Sequence, residues 1–118
     1  LISLYKKLHL LTVVMLCATS LYAATYDFDK FSRLANQRYG QTAYLTAQEL
    51  RKLVSEIKSS SDEEKLQRVN DFFNAKIRFT DDTELWGQAD YWATPLESIG
   101  MQAGDCEDFS IAKYIILK

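Results

Sequence analysis

Histidine is almost missing from this chain: one among 118 residues, His9, close to the start. Cysteine is scarce too, at Cys17 and Cys106, and the chain has a single proline, Pro95, and four glycines. Each shortage excludes something. Too few nitrogen and sulfur ligands remain for zinc, and two cysteines make no disulfide framework. No internal repeat, low-complexity tract or Gly/Pro-rich linker interrupts the chain. Positive charge is missing locally as well. From Phe79 to Ala112 there is no lysine or arginine, against eight acids: Asp81, Asp82, Glu84, Asp90, Glu97, Asp105, Glu107 and Asp108. With a formal charge of −2 overall and no basic stripe, nucleic acid is excluded as a partner.

The first residues carry an export pattern. Lys6 and Lys7 precede the apolar run "LHLLTVVMLCA", and "SLYAA" closes on small residues. This predicts a secretory signal peptide over residues 1–24, cut near Ala23 or Ala24. The apolar run is short for a membrane span, so no stable membrane insertion is expected after cleavage. "VML" before Cys17 lacks the small residue that a lipoprotein cut requires there, which argues against lipid anchoring. Cleavage leaves residues 25–118 with 12 basic and 16 acidic residues, no histidine and one cysteine. A lone thiol in an exported protein is a free reactive group, an intermolecular crosslink or a buried apolar filler. The closing "IAKYIILK" is an apolar periodic run without a stop signal, so the chain reads as the N-terminal part of something longer.

Three amphipathic helices follow the leader. Phe28, Phe31, Leu34, Ala35 and Tyr39 recur at helical spacing after Asp27, with Gly40 as a stop. Thr46 and Glu49 have capping-box spacing ahead of Leu50, Leu53, Val54 and Ile57. Ser61 and Glu64 repeat that spacing ahead of Leu66, Val69, Phe73 and Ile77. Apolar residues so spaced are core, and they carry no function.

Function is expected in the aromatic, acidic and loop-rich segment from Phe79 to Ala112. Its end, "GDCEDF", sets Cys106 among Asp105, Glu107 and Asp108. Nearby carboxylates disfavour a thiolate. A helix starting at Asp105, with Gly104 permitting the turn, would offset this, because unpaired N–H groups and the helix dipole favour negative charge there. Acids in a first turn are also ordinary capping, and a cysteine there is often a small buried residue. The excess acid suits a hard cation, calcium before magnesium, which would cancel the repulsion around Cys106. "DDTELWGQADYW" lacks the alternating ligand spacing of an EF-hand and is not read as a calcium site.

The stretch "DYWATPLESIGMQAGDCEDFSIAKYIIL" resembles the bacterial transglutaminase-like cysteine proteases of the LapG type, and the helices and leader fit that resemblance. It implies an α+β fold of the papain-like, transglutaminase-like kind, of which residues 25–118 would be the N-terminal part: the helices and the cysteine-bearing helix, without the strands that follow. It implies a calcium-dependent protease in the periplasm that clips the N-terminal region of a large surface adhesin. An inner-membrane cyclic-diguanylate receptor would sequester it when biofilm is to be kept. By position, Cys106 matches the nucleophile, Asp105 and Glu107 match the calcium-binding acids, and Asp108 matches the motif without a role. Trp86 and Trp92 are read as core packing, with shaping of the cleft as the other use. A cysteine protease needs a histidine oriented by a carboxylate. None follows Cys106, so both are expected beyond Lys118 and the 118 residues alone are expected to be inactive. The rival readings are a non-enzymatic calcium-binding or protein-interaction module and a plain exported helical domain.

Overall fold

The computed structural model describes residues 1–3 and 26–118. The predicted signal peptide therefore lies almost wholly outside the described residues. Helix α1 runs Phe28–Tyr39, with Asp27 as N-cap accepting a hydrogen bond from the Lys30 N–H at 2.9 Å. Gly40 ends it, its N–H donating to the Asn36 carbonyl at 3.0 Å. The φ of +90° at Gly40 is one that a side chain resists. That single residue is also the N-cap of α2, Gln41–Ile57. The predicted start at Thr46 is thus corrected. Thr46 lies inside the helix, buried, and its hydroxyl donates to the Thr42 carbonyl at 3.0 Å. Glycine alone makes the junction, so no side-chain cap marks it.

Helix α3, Asp62–Lys76, starts as its sequence predicts. The Ser61 hydroxyl accepts from the Glu64 N–H at 3.2 Å, and Asp62, Glu63 and Glu64 fill the first turn, where the helix dipole favours acids. Its apolar stripe holds at Val69, Phe73 and Ile77, but Leu66 is exposed. The core joins α1, α2 and α3 through Phe31, Ala35, Leu50, Leu53, Ile57, Val69 and Phe73. Full burial of a side chain such as Leu50 or Phe73 contributes about 1.5–3 kcal/mol.

The remaining elements are short. Strand β1, Arg78–Phe79, is followed by helix α4, Asp82–Trp86, and helix α5, Pro95–Met101. Thr94 and Glu97 form a capping box at the head of α5, and Pro95 occupies its first turn, where no N–H is needed. Strand β2, Ala103–Gly104, pairs parallel with β1, Arg78 opposite Ala103 and Phe79 opposite Gly104. It leads straight into helix α6, Cys106–Leu117. Helix α5 packs on α1 and α2, and α6 lies against α3, α5 and β2. Ile99 and Ala112 carry these contacts into the shared core. The described chain is therefore α+β, mostly helical with two short strands. Among the described residues no helix is long and apolar enough to cross a membrane.

Candidate active site

Cys106 is the first residue of α6, and it is exposed. Reading it as a buried filler is thereby excluded. The chain reaches it along β2, whose pairing fixes the direction in which the helix sets out. Asp105 is the N-cap, in an extended conformation, and it forms a reciprocal capping box with Asp108. The Asp105 carboxylate accepts from the Asp108 N–H at 3.4 Å, and the Asp108 carboxylate accepts from the Asp105 N–H at 3.2 Å. Gly104 serves this arrangement by its missing side chain. A Cβ there would lie 2.9 Å from the Cβ of Asp108 and 3.0 Å from its Oδ2. The glycine admits the returning Asp108 carboxylate, which is a closer constraint than the turn read from the sequence.

Asp108, which matches the family motif without an assigned role, organises this end of the molecule. It is wholly buried and also accepts a hydrogen bond from the Ala93 N–H at 2.8 Å. One carboxylate therefore ties the segment after Trp92 to the cysteine helix. Burial pushes its pKa up, with the charges of Asp105 and Asp82 adding to the effect, although the two N–H donors oppose it. The Asp105–Asp108 spacing is that of a capping box, which was a readable signal.

Asp82 is the second residue that sequence reasoning passed over. It begins α4, is 5% exposed, and accepts from the Tyr91 N–H at 2.6 Å through Oδ2, while Oδ1 has no hydrogen-bond partner. Asp82, Asp105 and Asp108 can each place one carboxylate oxygen so that the three lie within 4.8 Å of one another. No short-range pattern joins Asp82 to the other two. The stretch that fails as an EF-hand still supplies one acid to an all-oxygen cluster. Such a donor set fits a hard cation, and a buried carboxylate oxygen without a partner is costly unless something positive meets it.

Glu107 lies outside that trio, exposed on the first turn of α6. Its own backbone N–H lowers its pKa, but the adjacent Asp105 carboxyl and the charge of Asp90 push it up overall. Asp105 is thus shared, facing Glu107 on one side and the buried acids on the other.

The two tryptophans part company. Trp86 is half-buried and packs against the Tyr91 ring, centroids 4.4 Å apart. Trp92 is 68% exposed, which corrects its reading as core. It lines an open depression of about 360 Å³ together with Cys106, Glu107, Ser110 and Ile111. Behind it, the Tyr91 hydroxyl donates to Glu97 at 2.6 Å. That bond, with those from Thr94, outweighs the effect of burial and keeps the Glu97 carboxyl below its ordinary range.

An exposed thiol at a helix N-terminus beside a groove is an arrangement suited to nucleophilic catalysis once the charge of the surrounding acids is offset. A search of curated proteins found no match to this sequence. The family model of the bacterial transglutaminase-like cysteine proteinases matches residues 32–118, taking in α2 through α6 and most of α1. With that match extending over most of its length and through the cysteine helix, the chain belongs to the bacterial transglutaminase-like cysteine proteinase family.

Proposed function

We propose that this chain is the nucleophile-bearing part of a periplasmic, calcium-dependent cysteine protease that cleaves the N-terminal region of a large surface adhesin, under control of an inner-membrane cyclic-diguanylate receptor. The observation that carries the proteolytic part is the exposed Cys106 thiol at the N-terminus of α6, in a chain of this family. The adhesin, the receptor and the periplasmic setting rest on the resemblance of the "GDCEDF" region and on the leader.

In this reading the Cys106 thiolate attacks the scissile carbonyl carbon, and a C–S bond forms. Backbone N–H groups at the start of α6 receive the developing oxyanion. Collapse breaks the C–N bond, the amine leaves with a proton from the general acid, and water then hydrolyses the thioester. The described residues hold no histidine, so the base that takes the thiol proton comes from outside them. The 118 residues alone are accordingly expected to react with alkylating agents without turning over peptide.

Calcium would be held by Asp105 and Glu107; Asp105 also belongs to the cluster with the buried Asp82 and Asp108, whose oxygens would offer further ligands on its other side. When bound, it would supply charge neutralisation around the thiol. Cys106→Ser in the full-length protein should abolish cleavage of the adhesin while leaving calcium binding within about twofold, measured by gel assay and calorimetry. Surviving cleavage would remove Cys106 from the role. Loss of calcium binding in Asp105→Asn together with Glu107→Gln would distinguish metal ligands from simple helix caps.

A further inference from the structure

We infer that Trp92 is a specificity-determining residue, forming with Ile111 a subsite for an apolar side chain of the peptide beside the bond that Cys106 attacks. The inference rests on the reading of Cys106 as nucleophile. An exposed aromatic by itself is ordinary, but three observations set Trp92 apart from the exposed Leu66 or Tyr114.

First, its exposure is built in. The Tyr91 N–H donates to the buried Asp82 at 2.6 Å, and the Ala93 N–H donates to the buried Asp108 at 2.8 Å. The indole N–H itself donates to Asp90 at 3.1 Å. Backbone on both sides and the ring nitrogen are all held, so the indole face stands in water by construction. Second, Trp92 faces a single stripe of α6. Cys106, Glu107, Ser110 and Ile111 follow helical spacing along the same depression, with the thiol at one end and Ile111 towards the other.

Third, the distances suit a peptide. Five residues of helix separate Cys106 from Ile111, about 7.5 Å of axial rise. An extended peptide advances about 3.3 Å per residue. A peptide lying along this stripe would place on Ile111 and the Trp92 ring the side chain of a residue about two from the scissile carbonyl. Although Glu107 takes part in the lining, the exposed surface of the depression is mostly apolar, which suits an apolar side chain.

The test uses the thiol of this chain directly. Alkylation of Cys106 by N-benzylmaleimide and by N-methylmaleimide is followed by peptide mapping, with glutathione as the reference thiol. The benzyl-to-methyl rate ratio should exceed that of glutathione by about tenfold, the discrimination typical of an apolar subsite. Trp92→Ala should bring the ratio down to that of glutathione, and Trp92→Phe should retain most of it. Because the side chain is exposed and its neighbours are held through backbone N–H groups, Trp92→Ala should keep the wild-type circular dichroism spectrum. Equal ratios in the wild type and Trp92→Ala overturn the subsite. Alkylation needs no catalytic base, so this failure is distinct from failure of the nucleophile assignment, which appears as adhesin cleavage by Cys106→Ser.

Discussion

Asp108 is the residue on which this end of the molecule depends most. Its carboxylate satisfies the N–H of Ala93, ahead of α5, and the N–H of Asp105, at the head of α6, and it is wholly buried. Asp108→Ala would leave both donors without a partner. We expect a loss of about 2–4 kcal/mol in urea unfolding, since each buried polar group left unpaired costs roughly 1–3 kcal/mol. Asp108→Asn should lose less, because one amide oxygen can still accept from one of the two donors while its NH₂ faces the other. A loss below 0.5 kcal/mol for Asp108→Ala, roughly the scale of an ordinary surface change, would mean that the two segments are held by other contacts.

At the scale of elements, the junction between α1 and α2 rests on one glycine. Gly40 ends the first helix and begins the second with φ +90° and ψ −170°, a region open in practice only to glycine. A Cβ added there meets no atom within 4 Å, so any cost of Gly40→Ala is conformational rather than steric crowding by neighbours. Thermal and urea unfolding should register a destabilisation of roughly 1–3 kcal/mol. D-alanine at the same position, introduced by chemical ligation, should recover most of it. No recovery with the D-residue would show that the loss has a different origin. Four of the other helix starts are less exacting, because Asp27, Ser61, Thr94 and Asp105 each accept a backbone N–H and fix the boundary by a local bond.

Across the whole molecule, the carboxylate cluster joins parts that the chain separates widely. Asp82 comes from α4, while Asp105 and Asp108 come from the head of α6, after α5 and β2 have intervened. A cation held by all three would crosslink these parts and stabilise only the folded state. Calcium at a hundred times its dissociation constant should then add about 2.7 kcal/mol. Calorimetric melting in calcium against chelator should show the difference as a rise in Tm. Asp82→Asn should shrink that rise while leaving the reactivity of Cys106 towards iodoacetamide in chelator unchanged. An identical Tm in calcium and chelator would count against the metal in this chain.

Much of this was legible from the sequence alone, wherever the controlling interaction is short in range. Apolar spacing placed α1 and α3 because helical periodicity is a property of neighbouring residues, and "GDCEDF" located a capped helix start because a cap spans three residues. Thr46 misled because a capping-box spacing carries no record of whether the chain is already helical upstream. Leu66 and Trp92 misled because hydrophobicity does not say which face finds a partner. Only the tertiary structure brought Asp82 to Asp105 and Asp108, and Trp92 to the rim of Cys106. Those meetings depend on how α4, α5 and the β1–β2 pair pack, which no local pattern encodes. Sequence thus determined which residues could do chemistry here, and packing decided which of them stand together.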